Sequence, residues 1–298
     1  MKVLISGASG LVGTELARQL AARGDQAISL VRRPATGPNE IEWDPARGFI
    51  TEGALTGIDA VVNLSGASTG KLPWSKAYKT EMVESRLDST RTLVNAINAA
   101  AVKPKVFVSG SASGFYGDSG DRLMDESGAL GKGFLADLAG KWEAEAANVD
   151  PSVRLLLART TVVLSRKDGA LSRLLPLIKL GVGGPLGNGK QWWGWISLVD
   201  EAAAILHLID TPSATGPFNL VAPEAATCGD VVRSLGKALG KPTVVPAPAF
   251  ALRLALGEAA DEFLLASQKL SAQKLLESGY KFVHPKLEQA AAWVVGRD

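Results

Sequence analysis

Cysteine and histidine are scarce in this sequence of 298 residues, and their scarcity argues against two kinds of protein. The single cysteine, Cys228, excludes a disulfide within the chain and fits a reducing compartment. The two histidines, His207 and His284, lie far apart, and no cluster of side chains has metal-ligand spacing. We therefore expect a cytoplasmic protein without disulfides and without a metal centre.

Long apolar runs and a strong charge of one sign are missing as well. No run approaches the ~18 consecutive apolar residues that a transmembrane helix requires. The 32 basic and 30 acidic side chains leave a net charge of +2, which favours neither nucleic acid nor a membrane as a partner. The opening run MKVLISGASG resembles a strand and a glycine turn, so we predict no signal peptide. No feature indicates an oligomeric state.

The first half of the chain alternates apolar segments with helical ones. Five apolar segments read as strands, at 2–7, 27–31, 60–66, 105–110 and 153–158. Continuously apolar strands are typical of parallel sheets that are covered on both faces. Helical periodicity occurs at 11–23 and 79–101. The buried stripe predicted for the second helix consists of Val83, Leu87, Thr90, Val94 and Ile97. This alternation predicts an α/β fold with a doubly wound parallel Rossmann sheet.

The character of the chain changes after about residue 165. A glycine-rich and then aromatic stretch, LGVGGPLGNGKQWWGW, precedes a helical segment and the short strand at 216–222. We expect residues 1–165 to form a nucleotide-binding domain, with 196–222 returning to it. Residues 166–298 are expected to form a smaller, mostly helical lobe that binds a small-molecule substrate in the cleft between the two.

Three glycines separate the first strand from the first helix in ISGASGLVGTELARQL. Gly7 allows a tight turn, Gly10 lets the backbone approach a phosphate, and Gly13 permits close helix–strand packing. Structural turns also use glycine, but this triplet follows a strand, opens a helix and heads a βαβ unit. The GxxGxxG spacing is typical of extended short-chain dehydrogenases. The cofactor contacts predicted in this turn are Gly7, Ser9, Gly10, Leu11, Val12 and Gly13.

The second strand ends in LVRRP, without the acidic residue that usually holds the ribose of NAD. Arg32 and Arg33 stand there instead, and a guanidinium facing a 2′-phosphate makes charge-assisted hydrogen bonds worth ~1.5–3 kcal/mol. This favours NADP(H) over NAD(H) as the cofactor. The alternative is that both arginines are solvated loop residues.

The motifs together resemble a known family. They are GASGLVG, VVNLSG, ESRLDSTRTLVNAI, SGSASGFYGD, KWEAEA, GGPLGNGKQWWGWISLVD, GPFNLVAPE and ESGYKFVHPKLEQA, and they span nearly the whole chain. The sequence is similar to the atypical extended short-chain dehydrogenases called epimerase family or sugar-nucleotide epimerase-like proteins, some of which carry a SulA-type cell-division label. The resemblance implies an NADP-binding Rossmann domain whose substrate is poorly defined.

Further cofactor contacts follow from the resemblance. It implies Leu64 and Ser65 at the end of the segment 60–66, and Glu81 and Arg86 on the following helix. A solvated helix face explains the last two equally well.

The loop VFVSGSASGFYGD follows a strand, so its small residues are expected at the carboxyl edge of the sheet, where ligands bind in such folds. The resemblance implies that a serine here hydrogen-bonds the reacting hydroxyl or carbonyl group. Ser111 matches best and Ser113 is the alternative. A serine that only satisfies backbone groups in a turn is the other interpretation.

The catalytic tyrosine of the family motif YxxxK is absent. The matching register reads DLAGK, with Asp137 in place of the tyrosine, and with Lys141 present. An acid four residues before a lysine on a helix predicts a surface ion pair. Tyr116 in the edge loop is the substitute proton partner that we predict, with Lys141 steering charge. The alternative is that the Tyr116 ring packs under the loop.

Tryptophans are concentrated in GNGKQWWGWISLVD. Because tryptophan is a stiff, wide apolar surface with one N–H donor, Trp192 and Trp193 are predicted to line the substrate pocket, and Gln191 to contact substrate. Trp195 serves packing between the lobes equally well. The family has histidine where this chain has Ser197. No basic cluster occurs here, which favours a neutral or singly charged substrate.

The sequence thus predicts an NADP-dependent oxidoreductase or epimerase-like enzyme that acts on a small carbonyl or hydroxyl compound, with Ser111, Tyr116 and Lys141 as catalytic residues. A catalytically silent NADP-binding protein, acting in redox sensing or partner binding, is the alternative, because the YxxxK tyrosine is missing.

Overall fold

The computed structural model describes residues 1–166, 169, 171 and 173–296. The strands are β1 (Lys2–Ser6), β2 (Gln26–Val31), β3 (Glu40–Asp44), β4 (Phe49–Ile50), β5 (Ala60–Asn63), β6 (Val106–Ala112), β7 (Leu123–Met124), β8 (Arg154–Thr160), β9 (Val162–Leu164), β10 (Trp195–Ser197), β11 (Gly216–Leu220) and β12 (Lys269–Leu270). The α-helices are α1 (Leu11–Ala22), α2 (Lys76–Ala99), α3 (Phe134–Ala146), α4 (Leu174–Lys179), α5 (Leu198–Asp210), α6 (Cys228–Leu239), α7 (Ala249–Leu256), α8 (Gln273–Glu277) and α9 (Leu287–Val295). Short 3₁₀ helices cover Pro45–Arg47 and Ser113–Tyr116, and a π-helix covers Ala260–Leu265.

Eight strands form the main sheet in the order β11-β8-β6-β5-β1-β2-β3-β4. All neighbours are parallel except β3 and β4, which are antiparallel. The chain leaves β1 towards β2 on one side and later crosses to β5 on the other. This reversal next to β1 is the topological switch point at which doubly wound folds bind ligands. The predicted Rossmann sheet is confirmed.

Helices cover both faces of the sheet. On one face, α1 and α5 pack through residues such as Leu16 and Ile205 on apolar residues of β1, β5, β6 and β8, such as Val3. On the other, α2 and the end of α3 pack on the alternate side chains of the same strands, such as Leu4 and Phe107. A separate cluster joins α4, α6 and α9 with Trp193 and Trp195 in the carboxyl-terminal part. Strands buried on both faces explain the continuously apolar segments.

The buried face of α2 differs from the predicted stripe. Val83 and Leu87 are only half-buried, whereas Met82 and Leu93 are buried. The inward stripe is therefore rotated by about one residue over part of the helix, since one residue is about 100° of helical turn. In the described part of the chain, no helix is long and apolar enough to cross a membrane.

Candidate active site at the carboxyl edge of the sheet

The glycine turn between β1 and α1 needs glycine for two separate reasons. Gly7 has a φ of +71°, and a Cβ there would lie 2.8 Å from the Leu64 carbonyl oxygen. A Cβ on Gly13 would lie 2.3 Å from the Gly7 carbonyl oxygen. The turn is therefore packed backbone to backbone against the loop after β5, and no larger residue fits at either position.

The amino terminus of α1 is open to an anion. Its N-cap, Gly10, supplies no side-chain hydrogen bond, and the first turn has no acidic residue. Ser9 and Gly10 are exposed, Val12 is half-buried, and Leu11 borders the main cavity. Uncapped amides at a helix amino terminus are donors for a phosphate group.

The two arginines after β2 have different surroundings. Both Nη atoms of Arg33 donate to the Glu40 carboxylate, at 2.8 and 2.6 Å, and Arg33 lowers the pKa of Glu40 to about 2. Arg32 is exposed and forms no ion pair with any residue described in the structure. The sequence LVRRP itself has no acid, but β3 lies next to β2 and its first residue, Glu40, contacts Arg33. Arg32 is the guanidinium that remains available.

A cavity of about 350 Å³ lies at the carboxyl edge of the sheet. One wall comes from the strand ends and their loops, with Leu11 and Leu64 beside the glycine turn and Ser111 further along. The opposite wall comes from α3 and from the carboxyl-terminal part, including Trp192. The cavity thus runs from the glycine turn to the serine loop. Ser65, next to Leu64, is half-buried and its N–H donates to the Asn63 side chain at 3.3 Å.

Arg86 on α2 is a cation in the wall of this cavity. Its Nη1 donates to the carbonyl oxygens of Ala67 and Met82, both at 3.0 Å, and its guanidinium lies 5.1 Å from the Trp142 ring centroid. Burial lowers the pKa of Arg86 to about 10. No carboxylate pairs with it among the described residues, so it suits an anionic ligand. Glu81, one turn earlier, is exposed.

Ser111 is connected to a buried ion pair. Its hydroxyl donates to Oε1 of Glu143 on α3 at 2.6 Å. The Arg159 guanidinium on β8 holds both oxygens of Glu143, at 2.8 and 2.9 Å. Because the Ser111 proton is committed to a carboxylate, its remaining lone pairs can accept a hydrogen bond from a group in the cavity. Ser113 also borders the cavity, but its hydroxyl donates to Gln268 at 2.7 Å.

Tyr116 does not present its phenol to the cavity. The side chain is buried, and its hydroxyl donates to Asn219 at 2.7 Å and accepts from Arg159 at 2.8 Å. Burial raises the pKa of Tyr116, although Arg159 opposes the shift. This corrects the expected geometry, because the 3₁₀ turn after β6 directs the ring into the protein. The ring packs under the loop, as in the alternative interpretation.

Helix α3 also directs the residues expected at the site away from the cavity. Asp137 and Lys141 are both exposed, and no ion pair joins them in the described structure. Leu138 and Trp142, each one residue later, face the cavity instead. Trp142 fills the space beside Gly110, where a Cβ would lie 2.7 Å from its ring, and its N–H donates to Thr90 at 2.9 Å. The expectation that Lys141 steers charge in the site is therefore not supported by its position.

Two tryptophans of the motif lie at the cavity and the third lies in the core. Trp192 and Trp193 border the cavity, and their indole N–H groups donate to Asp121 and to the Leu264 carbonyl oxygen. Trp195 is fully buried. Gln191 is turned away from the cavity, and its amide donates to the carbonyl oxygens of Leu186 and Leu264, both at 3.1 Å. The expected substrate contact by Gln191 is thus replaced by a structural one.

Several cavity-related residues were missed from the sequence. Arg159 ends an apolar strand and so carried a signal, because a charge at the carboxyl edge of a buried strand needs a partner. Glu143 and Trp142 carried none, since only the phase of α3 shows which of its residues face inward. Glu262, also at the cavity, comes from the distant π-helix and accepts from the N–H groups of Phe134 and Leu135, at 3.2 and 3.1 Å.

Comparison with known proteins agrees with this arrangement. The model of the NAD dependent epimerase/dehydratase family matches residues 3–221, and a domain of unknown function, DUF1731, matches residues 247–294. An epimerase family protein of Mycobacterium leprae is 38% identical over 296 residues, which are 99% of this chain and 96% of that protein. The human epimerase family protein SDR39U1 is 34% identical over 298 residues, 99% of this chain and all of that one.

Solved structures give the same result. The crystal structure of human SDR39U1 (isoform 2) with NADPH has a TM-score of 0.93 at 33% identity and covers 99% of both chains. A nucleoside-diphosphate sugar epimerase from Corynebacterium glutamicum has a TM-score of 0.81 at 29% identity, covering 99% of this chain and 58% of that one. The resemblance to atypical extended short-chain dehydrogenases is confirmed, and this chain belongs to the NAD dependent epimerase/dehydratase family.

Proposed function

We propose that this protein is an NADP(H)-dependent oxidoreductase that acts on a small carbonyl or hydroxyl compound. The observation that carries the proposal is the continuity of one cavity, which borders Leu11 of the glycine turn at one end and Ser111 at the other. A dinucleotide needs phosphate donors and a reacting centre in one continuous space, and family membership supplies the expectation of an oxidoreductase or epimerase-like role.

The residues of this chain fit NADP(H). The uncapped amides of α1 would hold the pyrophosphate, the exposed guanidinium of Arg32 the 2′-phosphate, and the Leu64–Ser65 backbone and Arg86 the middle of the cofactor. The human relative was crystallised with NADPH, which supports the same choice here. A bound nicotinamide ring donates or accepts hydride.

Ser111 is the group that we propose orients the substrate. With its proton held by Glu143, Ser111 accepts a hydrogen bond from the hydroxyl group of the alcohol, which is the product when a carbonyl compound is reduced, and Arg159 keeps the acceptor in place. The cavity lining is mostly apolar and includes Trp192 and Trp193, which suits a small uncharged substrate beside the cofactor.

The test is NADPH oxidation against a panel of aldehydes, ketones and quinones, with UDP-glucose as a sugar-nucleotide comparison. We expect turnover with a small carbonyl compound, and we expect that Ser111→Ala lowers it at least about tenfold while NADPH binding is kept. Preferential conversion of UDP-glucose would contradict the substrate class.

A catalytically silent NADP-binding protein is the second candidate. Its support is that the motif tyrosine is replaced by Asp137, the substitute Tyr116 is buried, and Lys141 faces solvent, so no expected proton partner reaches the cavity. Tight NADPH binding without turnover of any panel member would favour this candidate over the oxidoreductase.

A further inference from the structure

Glu201 on α5 is a buried carboxyl group that forms no ion pair with any described residue. Its exposure is 0%, and Oε1 lies 2.6 Å from the Thr160 hydroxyl oxygen, which donates to it. Its other oxygen, Oε2, is buried and has no hydrogen-bond partner in the described structure. Burial raises the pKa of Glu201 to about 8, so the carboxyl group holds its proton at neutral pH. An ionised carboxylate with one bare oxygen would be far more costly to bury than a neutral acid.

Among the described residues, no neighbouring element provides an opposite charge for Glu201. On its own helix, Asp200 accepts hydrogen bonds from Ser197, Tyr280 and the N–H groups of Val283 and His284. His284 Nδ1 in turn lies 2.9 Å from the Ser197 hydroxyl. On α1, Glu15 is paired with Arg18, and on β8, Arg159 is paired with Glu143. Burial and the nearby Asp200 and Glu201 raise the pKa of Tyr280.

Thr160 connects this buried acid to the cavity. It is the last residue of β8, it borders the cavity, and its neighbour on β6 is Ala112. Arg159 pairs in register with Ser111, so Thr160 and Ser111 belong to opposite faces of the sheet. When Glu201 is neutral, its carboxyl O–H can donate to Thr160 Oγ1. The Thr160 proton is then free to be donated into the cavity.

We propose that Glu201, acting through Thr160, is the proton source for a carbonyl oxygen reduced in this cavity. The inference rests on the proposed reductase function. As hydride from NADPH bonds to the carbonyl carbon, the C=O π bond breaks and its electron pair moves to oxygen. That oxygen takes the Thr160 hydroxyl proton, and Thr160 takes the Glu201 proton. Glu201 is reprotonated from water as the alcohol leaves, so each turnover consumes one NADPH and one proton.

In this route the proton comes from Glu201 and Thr160, which lie outside the tyrosine–lysine pair that is usual in the family. Glu201 is a positioning and relay residue, because it touches no substrate, and Thr160 is the catalytic donor. A neutral acid such as Glu201 can donate a proton, whereas an ion-paired carboxylate such as Glu143 cannot. Thr160, which contacts Glu201, therefore suits the reduction of a carbonyl group. The substrate class is thereby narrowed from carbonyl or hydroxyl compounds to carbonyl compounds.

The test is the pH dependence of kcat for NADPH oxidation, with 9,10-phenanthrenequinone and the aldehyde and ketone panel, from pH 5 to 10. We expect the wild-type kcat to fall above about pH 8 and Glu201→Gln to lose that pH-dependent limb. A positioned general acid contributes about 100-fold or more, so Glu201→Gln and Thr160→Val should lower kcat at pH 7 by about that factor. Thr160→Ser, which keeps the hydroxyl, should restore most of it. Glu145→Gln, which alters an exposed ion pair with Arg91, is the control.

Infrared difference spectroscopy of the wild-type protein gives a readout that does not depend on turnover. We expect one protonated carboxyl band in the wild-type protein to disappear with a midpoint near pH 8, and to be missing in Glu201→Gln. If the protein turns over but Glu201→Gln keeps the wild-type pH profile, or if no carboxyl group titrates near that pH, the relay is overturned and the reductase function stands. If NADPH binds and no carbonyl compound is reduced, the proposed function fails and the relay fails with it.

Discussion

Two carboxyl groups flank the cavity from opposite faces of the sheet, and their surroundings differ. Glu143 accepts hydrogen bonds from Nε and Nη2 of Arg159 and from the Ser111 hydroxyl. Glu201 has no cation, one hydroxyl partner in Thr160, and a bare second oxygen in the described structure. One side of the cavity therefore presents a proton acceptor and the other a proton donor. Two residues of the same type take opposite roles because only one has a charge partner.

The largest effect on the free energy of unfolding is expected from breaking the buried ion pair between Arg159 and Glu143. Arg159→Met would leave Glu143 buried without a counter-ion, and loss of one partner of a buried pair costs about 3–5 kcal/mol. We expect a decrease of that size in the free energy of unfolding, measured by urea titration. Arg91→Met, which breaks the exposed pair with Glu145, should cost less than about 1 kcal/mol. Equal losses in the two variants would contradict the difference between a buried and an exposed pair.

The buried carboxyl group of Glu201 is expected to make the free energy of unfolding depend on pH. The pKa of Glu201 is raised from 4.5 to about 8, so between these values the folded protein retains a proton that the unfolded chain releases. Its contribution to stability is complete below pH 4.5, decreases by about 1.4 kcal/mol per pH unit as the pH rises, and is lost above about pH 8.

The measurement is the free energy of unfolding of wild type minus that of Glu201→Gln at several pH values. Taking the difference removes the carboxylates whose pKa values are lowered and which change stability in the opposite direction. A difference that does not vary between pH 5 and 8 would show that Glu201 is not a buried neutral acid.

Comparing two serines of the loop after β6 distinguishes the hydrogen-bond acceptor role from a packing role. Ser111 reaches the ion pair and Ser113 reaches only Gln268. We therefore expect Ser111→Ala to lower kcat by about 10- to 100-fold and Ser113→Ala by less than about threefold, since a positioned group contributes on that scale. NADPH affinity, measured in parallel, should change little in either. A larger effect from Ser113→Ala would move the reacting centre to the other serine.

The smallest effect is expected from removing the side chain that we propose contacts the 2′-phosphate of the cofactor. Arg32→Ala should reduce the preference for NADPH over NADH about tenfold, because it removes a charge-assisted hydrogen bond. Arg33→Ala should have a smaller effect, because Glu40 already engages that guanidinium. The measurement is the ratio of the two dissociation constants in each variant. The reverse order would mean that Glu40 releases Arg33 to the cofactor.

The sheet and the glycine turn could be predicted because their signals are local. A strand buried on both faces is apolar along its length, and a glycine that meets a backbone carbonyl at 2.8 Å or less tolerates no other residue. Each constraint leaves a pattern in a short stretch of sequence, an apolar run or a glycine triplet, even though the carbonyl group that Gly7 meets belongs to the distant Leu64.

The proton-handling residues could not be predicted, because their environment is assembled from distant segments. The place of Tyr116 in the loop predicts a phenol at the cavity, yet its orientation is set by Asn219 and Arg159. The motif register predicts Lys141 at the site, but α3 turns Leu138 and Trp142 inward. Glu201 lies in a helical segment whose pattern does not reveal that no cation accompanies it.

The central claim, that this cavity is an NADP(H) site, is tested most directly by titrating the wild-type protein with NADPH and, separately, with NADH. Trp142, Trp192 and Trp193 border the cavity, so energy transfer from tryptophan to the reduced nicotinamide reports binding. We predict that NADPH binds at least about tenfold tighter than NADH, as one charge-assisted contact to the 2′-phosphate requires. Equal affinities would contradict the role of Arg32, and the absence of binding by either nucleotide would contradict the assignment of the cavity itself.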